Sequence, residues 1–252
     1  MDAPGLNAPA ELATESYLRQ RLDPQPGDEF YLHLADLRLA LEGARAPAAS
    51  CVLDYGCGGS PYRSLFPSAV YHGADLTGTP GVDFTFGSDT RLPVPDAEYD
   101  LVLSTQVLEH VRHPAAYLAE CHRVLQPGGR LLLSTHGTFR DHDCPSDFHR
   151  WTADGLKDAV AAAGFAVTRI QKLTSGPRAL MFLIGQHQNE MLTSDFSWPA
   201  FYLRFLRAPF RWRHAAIDQF CDRAFSKYRV SDASEAGRSL YVALLVTAVR
   251  PG

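Results

Sequence analysis

The sequence has no closely spaced cysteine pair: Cys51, Cys57, Cys121, Cys144 and Cys221 are odd in number and scattered. That argues against a disulfide framework and a cysteine zinc site. The sequence also lacks the uncharged apolar run of eighteen or more residues that a membrane-spanning helix needs. Its N-terminus carries acids and prolines without a basic-then-apolar pattern, so a cytoplasmic location is expected. A basic excess is missing as well: 24 Lys and Arg stand against 28 Asp and Glu, a formal charge of -4, and no nucleic-acid partner is expected. No internal repeat or low-complexity tract is present. What is there is a chain of 252 residues, 46% hydrophobic and 21% charged, enough for one large domain with an ample core.

The stretch Cys51-Val52-Leu53-Asp54-Tyr55-Gly56-Cys57-Gly58-Gly59-Ser60-Pro61-Tyr62 combines a short buried strand, a glycine turn and an expected helix start. Gly56 and Gly58 permit positive φ and close backbone approach, while Ser60 and Pro61 fit an N-cap and first helical position. About twenty residues on, Tyr71-His72-Gly73-Ala74-Asp75-Leu76 reads as a second strand. Asp75 lies near its end, where an acid can accept from ribose hydroxyls. Val82-Asp83-Phe84, Ser88-Asp89 and the buried-strand run Asp100 to Ser104 follow. In an open parallel sheet, the carboxyl ends of such strands line one crevice. Asp54, Asp75, Asp89 and Ser104 to Gln106 would then converge on one ligand.

Taken together, Leu53 to Gly58, Asp75, Asp89, Tyr99-Asp100, Val107-Leu108-Glu109-His110-Val111 and Arg123 to Gly129 resemble the class I S-adenosylmethionine-dependent methyltransferases over roughly residues 50 to 170. The resemblance implies a Rossmann-like α/β fold with a mostly parallel sheet and helices on both faces. It implies S-adenosylmethionine as cofactor, with Asp54, Gly56, Gly58, Asp75, Asp89 and Gln106 in its site. Gly56 and Gly58 would pass along the methionine part, Asp75 would hold the ribose, Asp89 would sit by the adenine amino group and Gln106 would border the methyl group. Ser60 replaces the family's third glycine and receives no contact. A nicotinamide dinucleotide is disfavoured, because its pyrophosphate wants a glycine at the helix start where this loop has Ser60 and Pro61, and Pro61 has no N–H to offer. Gly58 to Arg63 together with His142 to Thr152 further resemble methyltransferases of bacterial glycan assembly.

Downstream, helices are expected over Tyr17 to Leu22, Glu29 to Glu42, from Pro114 up to Pro127-Gly128-Gly129, and over Ala153 to Ala163. Strands are expected over Arg130 to Ser134, Phe165 to Ile170 and Leu240 to Val249. The chain divides into an N-terminal helical segment (1-45), a methyltransferase domain (46-171 plus 239-252) and a helical insertion (172-238). Within the insertion, helical patterns cover Arg178 to Leu192 and Trp198 to Lys227. Arg204, Arg207, Arg211 and Arg213 alternate there with aromatics, which suits a lid, a subunit contact in a homodimer or, ranked last, a membrane-surface helix.

The densest acid-base segment runs from His136 to Arg150. Methyl transfer to a hydroxyl needs alignment and removal of a proton, so His149 or His142 is the candidate base. Asp147 is the orienting partner, placed beside His149 if the segment is extended. His142, Asp143, Asp147 and His149 are also metal-ligand types, but they lack a tight signature and no metal is assigned. His110 suits turn ordering as well as substrate contact. The expected activity is methyl transfer to an oxygen or nitrogen of a small-molecule or glycan acceptor. The alternatives are a lipid-linked or secondary-metabolite acceptor and a non-catalytic cofactor-binding regulatory or scaffold subunit.

Overall fold

The structure is a computed structural model that describes residues 15–44, 51–87, 89–142, 146–193, 214–234, 237 and 239–252, with side chains 188–193 and 214 left aside. Its elements are α1 (Glu15–Leu22), α2 (Tyr31–Ala44), β1 (Cys51–Tyr55), β2 (Val70–Leu76), β3 (Phe84–Phe86), β4 (Tyr99–Thr105), α3 (Pro114–Val124), β5 (Leu125–His136), α4 (Ala153–Ala162) and β6 (Ala166–Ser175). After these come α5 (Gly176–Thr193), α6 (His214–Ala224), β7 (Val230–Asp232) and β8 (Tyr241–Val249). They build an eight-stranded sheet ordered β3-β2-β1-β4-β5-β8-β6-β7. Neighbours from β3 to β5 pair in parallel. β8 runs antiparallel to both β5 and β6, and β7 is antiparallel to β6. The direction of winding reverses between β1 and β4, where an open α/β sheet leaves a crevice at its carboxyl edge.

The sequence pattern explains which strands sit in the middle. Val242 to Ala248 in β8 are buried without a break, as in a strand covered on both faces. In β1, Leu53 and Tyr55 pack with Tyr117 and Leu118 of α3 and Leu156 and Val160 of α4, whereas Val52 faces Leu37 and Leu41 of α2 on the opposite side. α2 is therefore part of the core. No helix among the described residues is long and apolar enough to cross a membrane.

Three expectations about elements change. The residues after β1 form no α-helix: Ser60 has φ +56, and only a short 3-10 turn, Arg63–Leu65, follows. Pro127-Gly128-Gly129 does not separate α3 from a later strand. The strand starts at Leu125, paired with Tyr99, and the proline and glycines form a bulge with Gly128 at φ +81. β6 continues past Ile170 to Ser175, because the polar residues there find partners in distant segments: Lys172 donates to the Gly237 carbonyl, and Thr174 Oγ1 donates to buried Asp36 Oδ2 at 2.9 Å. In the insertion, helix appears over α5 and α6, a 3-10 turn over Ser226–Tyr228, and Val230–Asp232 joins the sheet. Residues 198–213, with their arginine and aromatic alternation, lie outside the described residues.

Candidate functional site

The loop after β1 is held by its own backbone. Gly56 and Cys57 both donate to the Ala74 carbonyl of β2, at 2.8 and 3.1 Å. Gly56 sits at φ +80, and a Cβ there would lie 2.5 Å from Val107 Cγ2, so the loops after β1 and β4 meet where only glycine fits. The Asp75 carboxylate accepts from Gly58 N at 2.6 Å and from Leu76 N at 2.7 Å, which fixes it at the end of β2. Gly58 has φ +51, and the Tyr17 hydroxyl of α1 lies 3.2 Å from where its Cβ would be, so α1 closes over the loop.

Asp54 and Gln106 are each half satisfied. The Asp54 carboxylate is buried; Tyr71 donates to Oδ2 at 2.6 Å while Oδ1 has no partner. Burial pushes this acid up to about 7. Gln106 adopts φ +57 just beyond β4 and donates through Nε2 to Ser134 Oγ at 3.1 Å, leaving Oε1 buried without a partner. Asp89 is exposed beyond β3, beside Thr90 at φ +58. All six sequence-assigned residues thus lie at or just past the carboxyl ends of β1 to β4, on one rim of the sheet.

A second cluster occupies the ends of β4 and β5. Glu109 is fully buried in the 3-10 turn Leu108–His110; Thr135 Oγ1 donates to its Oε2 at 2.8 Å, and His136 Nδ1 lies 2.8 Å from Oε1. Burial pushes the Glu109 carboxyl up, but His136 beside it outweighs burial and holds it at about 2. The His136 ring stacks on Phe139 at 4.0 Å, with His33 at 5.5 Å and His142 at 5.1 Å between centroids. Burial holds His33 down at about 3 and lowers His142 as well. The Glu109 carbonyl accepts from Phe148 N and His149 N, at 2.8 and 3.2 Å, stapling the later loop onto this turn.

The sequence assignments in this loop are only partly brought together. Asp147 does not pair with His149. Its carboxylate bonds Arg150 Nη1 at 2.6 Å and the His142 backbone N–H at 3.0 Å, with His142 Nδ1 at 3.2 Å. Burial alone would raise Asp147, but its bonds from Arg150 and His142 hold it well below the usual carboxylate range. The side-by-side placement required an extended strand, and residues 146–150 form none. The His149 ring packs on Trp151 at 5.6 Å, and its Nε2 is buried without a partner. His110 Nδ1 contacts the Ser146 carbonyl at 2.7 Å, which gives it the turn-ordering role. Asp143 lies outside the described residues. Glu109, His33 and His136 received no role from the sequence. His136 appeared only as the start of the acid-base segment, and Glu109 only within the family-like run Val107 to Val111.

Residues 28–170 match the methyltransferase domain family. A probable S-adenosylmethionine-dependent methyltransferase of Mycolicibacterium smegmatis is 42% identical over 94 residues, 35% of this chain and 37% of that protein. A ubiquinone biosynthesis O-methyltransferase of Pseudomonas paraeruginosa is 31% identical over 175 residues, 51% of this chain and 74% of that protein. The chain spans less than half of the length of the mycobacterial relatives it matches. In fold it is similar to Haemonchus contortus phosphoethanolamine N-methyltransferase 2, with TM-score 0.52 and 14% identity over 98% of this chain and 61% of that one.

Proposed function

The chain belongs to the methyltransferase domain family, and from that premise we propose that it transfers the methyl group of S-adenosylmethionine to a hydroxyl oxygen of a small-molecule or glycan acceptor. The observation that carries this reading is the carboxyl rim itself. It offers a glycine loop open to close approach, a fixed carboxylate at Asp75, and two buried acceptors without donors, Asp54 Oδ1 and Gln106 Oε1. These residues fit the cofactor: the two free acceptors suit its ammonium end, Asp75 its ribose and Asp89 its adenine amino group. When bound, the cofactor supplies a methyl already activated on a sulfonium, so the chain's residues need only bind, align and move one proton. His149 or His142 would take the proton of the acceptor hydroxyl as the methyl group passes to its oxygen, the carbon–sulfur electron pair staying with the departing thioether. Oxygen is favoured over nitrogen because a histidine-rich cluster adjoins the rim and because relatives include O-methyltransferases. The glycan option rests on the motif His142 to Thr152. The insertion serves in this reading as a lid over the acceptor.

Turnover of labelled S-adenosylmethionine against nucleotide sugars, lipid-linked glycans and phenolic metabolites tests the proposal. Transfer to a hydroxylated acceptor is expected. Cofactor binding without transfer to any acceptor would favour the regulatory alternative. On the true acceptor, replacing whichever histidine is the base with alanine should lower turnover roughly a hundredfold with cofactor affinity intact. If His149→Ala and His142→Ala both keep near-normal turnover, catalysis rests on alignment alone.

Asp75→Ala should weaken S-adenosylhomocysteine binding by roughly 1.5 to 3 kcal/mol, the worth of hydrogen bonds to a charged acceptor. Unchanged affinity in a folded variant would reduce Asp75 to a loop staple for Gly58. A pH effect follows from Asp54, whose raised value near 7 means that the ligand-free folded protein keeps its proton up to neutrality. Its contribution to stability therefore falls as pH rises from the ordinary carboxylate range through about 7. A ligand that donates to Oδ1 binds the ionised form, so affinity should rise over the same window. Asp54→Asn should flatten that rise, which calorimetry at several pH values would show.

A further inference from the structure

Glu109 Oε1, His136 Nδ1 and His142 Nδ1 are buried atoms without an aligned hydrogen bond, and His142 Nδ1 lies 3.2 Å from Asp147 Oδ2. Glu109 and His136 are 0% and 4% exposed, so bulk water does not serve them. Leaving such atoms unmet is costly, and each asks for an explanation. The first two lie 2.8 Å apart without hydrogen-bond alignment. Two ligand atoms sharing a cation have that character: they approach each other while both point at a third centre.

One ligand atom each from Glu109, His136 and His142 lies within 4.8 Å of the others. With bonds of about 2.0–2.2 Å, a tetrahedral cation sets its ligand atoms about 3.3–3.6 Å apart, so the Glu109–His136 pair would open from 2.8 Å and the widest pair would close by up to about 1.5 Å. The outer contacts are also in place. Thr135 Oγ1 holds the second carboxylate oxygen of Glu109, and Asp147, itself clamped by Arg150, holds the His142 backbone N–H at 3.0 Å. Such outer partners orient metal ligands. Two imidazoles and one carboxylate suit zinc or another first-row divalent cation, whereas calcium and magnesium want mainly oxygen.

We infer that Glu109, His136 and His142 together bind one divalent transition-metal cation. Three protein ligands leave a position for the acceptor hydroxyl, whose acidity the cation would raise; this last step rests on the function proposed above. His149, outside the ligand set, then remains to take the proton. The sequence assigned no metal, and the ligand types it singled out in this region were His142, Asp143, Asp147 and His149. In the structure Asp147 is committed to Arg150, and Glu109 and His136 come from different segments.

The test is titration of the chelator-stripped full-length chain with cobalt(II), read by its visible absorption, then displacement by zinc(II). One cobalt per chain with bands of nitrogen and oxygen ligation is expected. Affinity should fall at least tenfold in His142→Ala and in Glu109→Gln and stay unchanged in His149→Ala. His142 is on a loop and only half buried, so His142→Ala should fold; unchanged binding of S-adenosylhomocysteine would show that it does. No saturable cobalt binding by the wild type, or binding equally tight in both ligand variants, overturns the inference. S-adenosylhomocysteine binding separates the two failures: ligand bound without cobalt refutes the metal site alone, and cobalt bound without that ligand refutes the cofactor reading alone.

Discussion

Replacing Gly56 with alanine should destabilise the protein by about 2 to 5 kcal/mol, summing about 1–2 for a left-handed φ and about 1–3 for overpacking. It should also remove most cofactor affinity. The first contribution follows from φ +80, the second from the Val107 methyl carbons 2.5 and 2.7 Å from the new Cβ. Gly128 is the control: its φ is +81, yet nothing lies within 4 Å of its would-be Cβ, so Gly128→Ala should lose only the strain. Adding Val107→Ala to Gly56→Ala should restore the overpacking share, a coupling that a double-mutant cycle measures by denaturant unfolding. Equal losses at Gly56 and Gly128, with no rescue, would mean that the meeting of the two loops imposes nothing on the site.

The second large effect lies away from the rim. Asp36 of α2 is fully buried and accepts from Arg178 Nε at 2.7 Å and Nη2 at 2.9 Å, from Arg229 Nε at 2.8 Å and from Thr174 Oγ1 at 2.9 Å. Arg178 is also fully buried and reaches Asp222 at 2.9 Å. This network ties α2 to the segments on either side of the undescribed part of the insertion. Asp36→Ala leaves a buried guanidinium short of its counter-charge and should cost about 3–5 kcal/mol in unfolding free energy. Replacing both partners, as in Asp36→Leu with Arg178→Met, should recover much of that, because an apolar pair avoids the desolvation of two ions. A loss under 1 kcal/mol for the single variant would show that water reaches the pair and screens it.

The parts of this fold that were legible are those where one local pattern decides the outcome. β1, β2, β4 and β8 were visible as short apolar runs bounded by turn residues, and α3 as an apolar stripe opened by Pro114. The rim residues were legible because a parallel sheet places every strand's carboxyl end on one edge, so order along the chain becomes proximity in space. What failed depended on distant partners. β6 was cut short because Gln171, Lys172 and Thr174 look like loop residues until Gly237 and Asp36 supply their bonds. The expected helix at Ser60 gave way to a left-handed residue whose N–H bonds the Cys57 carbonyl at 2.8 Å. The pairing of Asp147 with His149 rested on strand periodicity in a segment that is not a strand, and Arg150, three residues on, claimed the carboxylate. Glu109 and His136 lie 27 positions apart, and only the parallel pairing of β4 with β5 brings them together.

Calorimetric titration of the purified chain with S-adenosylhomocysteine, repeated in the presence of NAD, tests the central claim most directly. The account predicts one site per chain, unaffected by NAD and weakened in Asp75→Ala. Absence of binding by the folded protein, or preference for NAD, would contradict it.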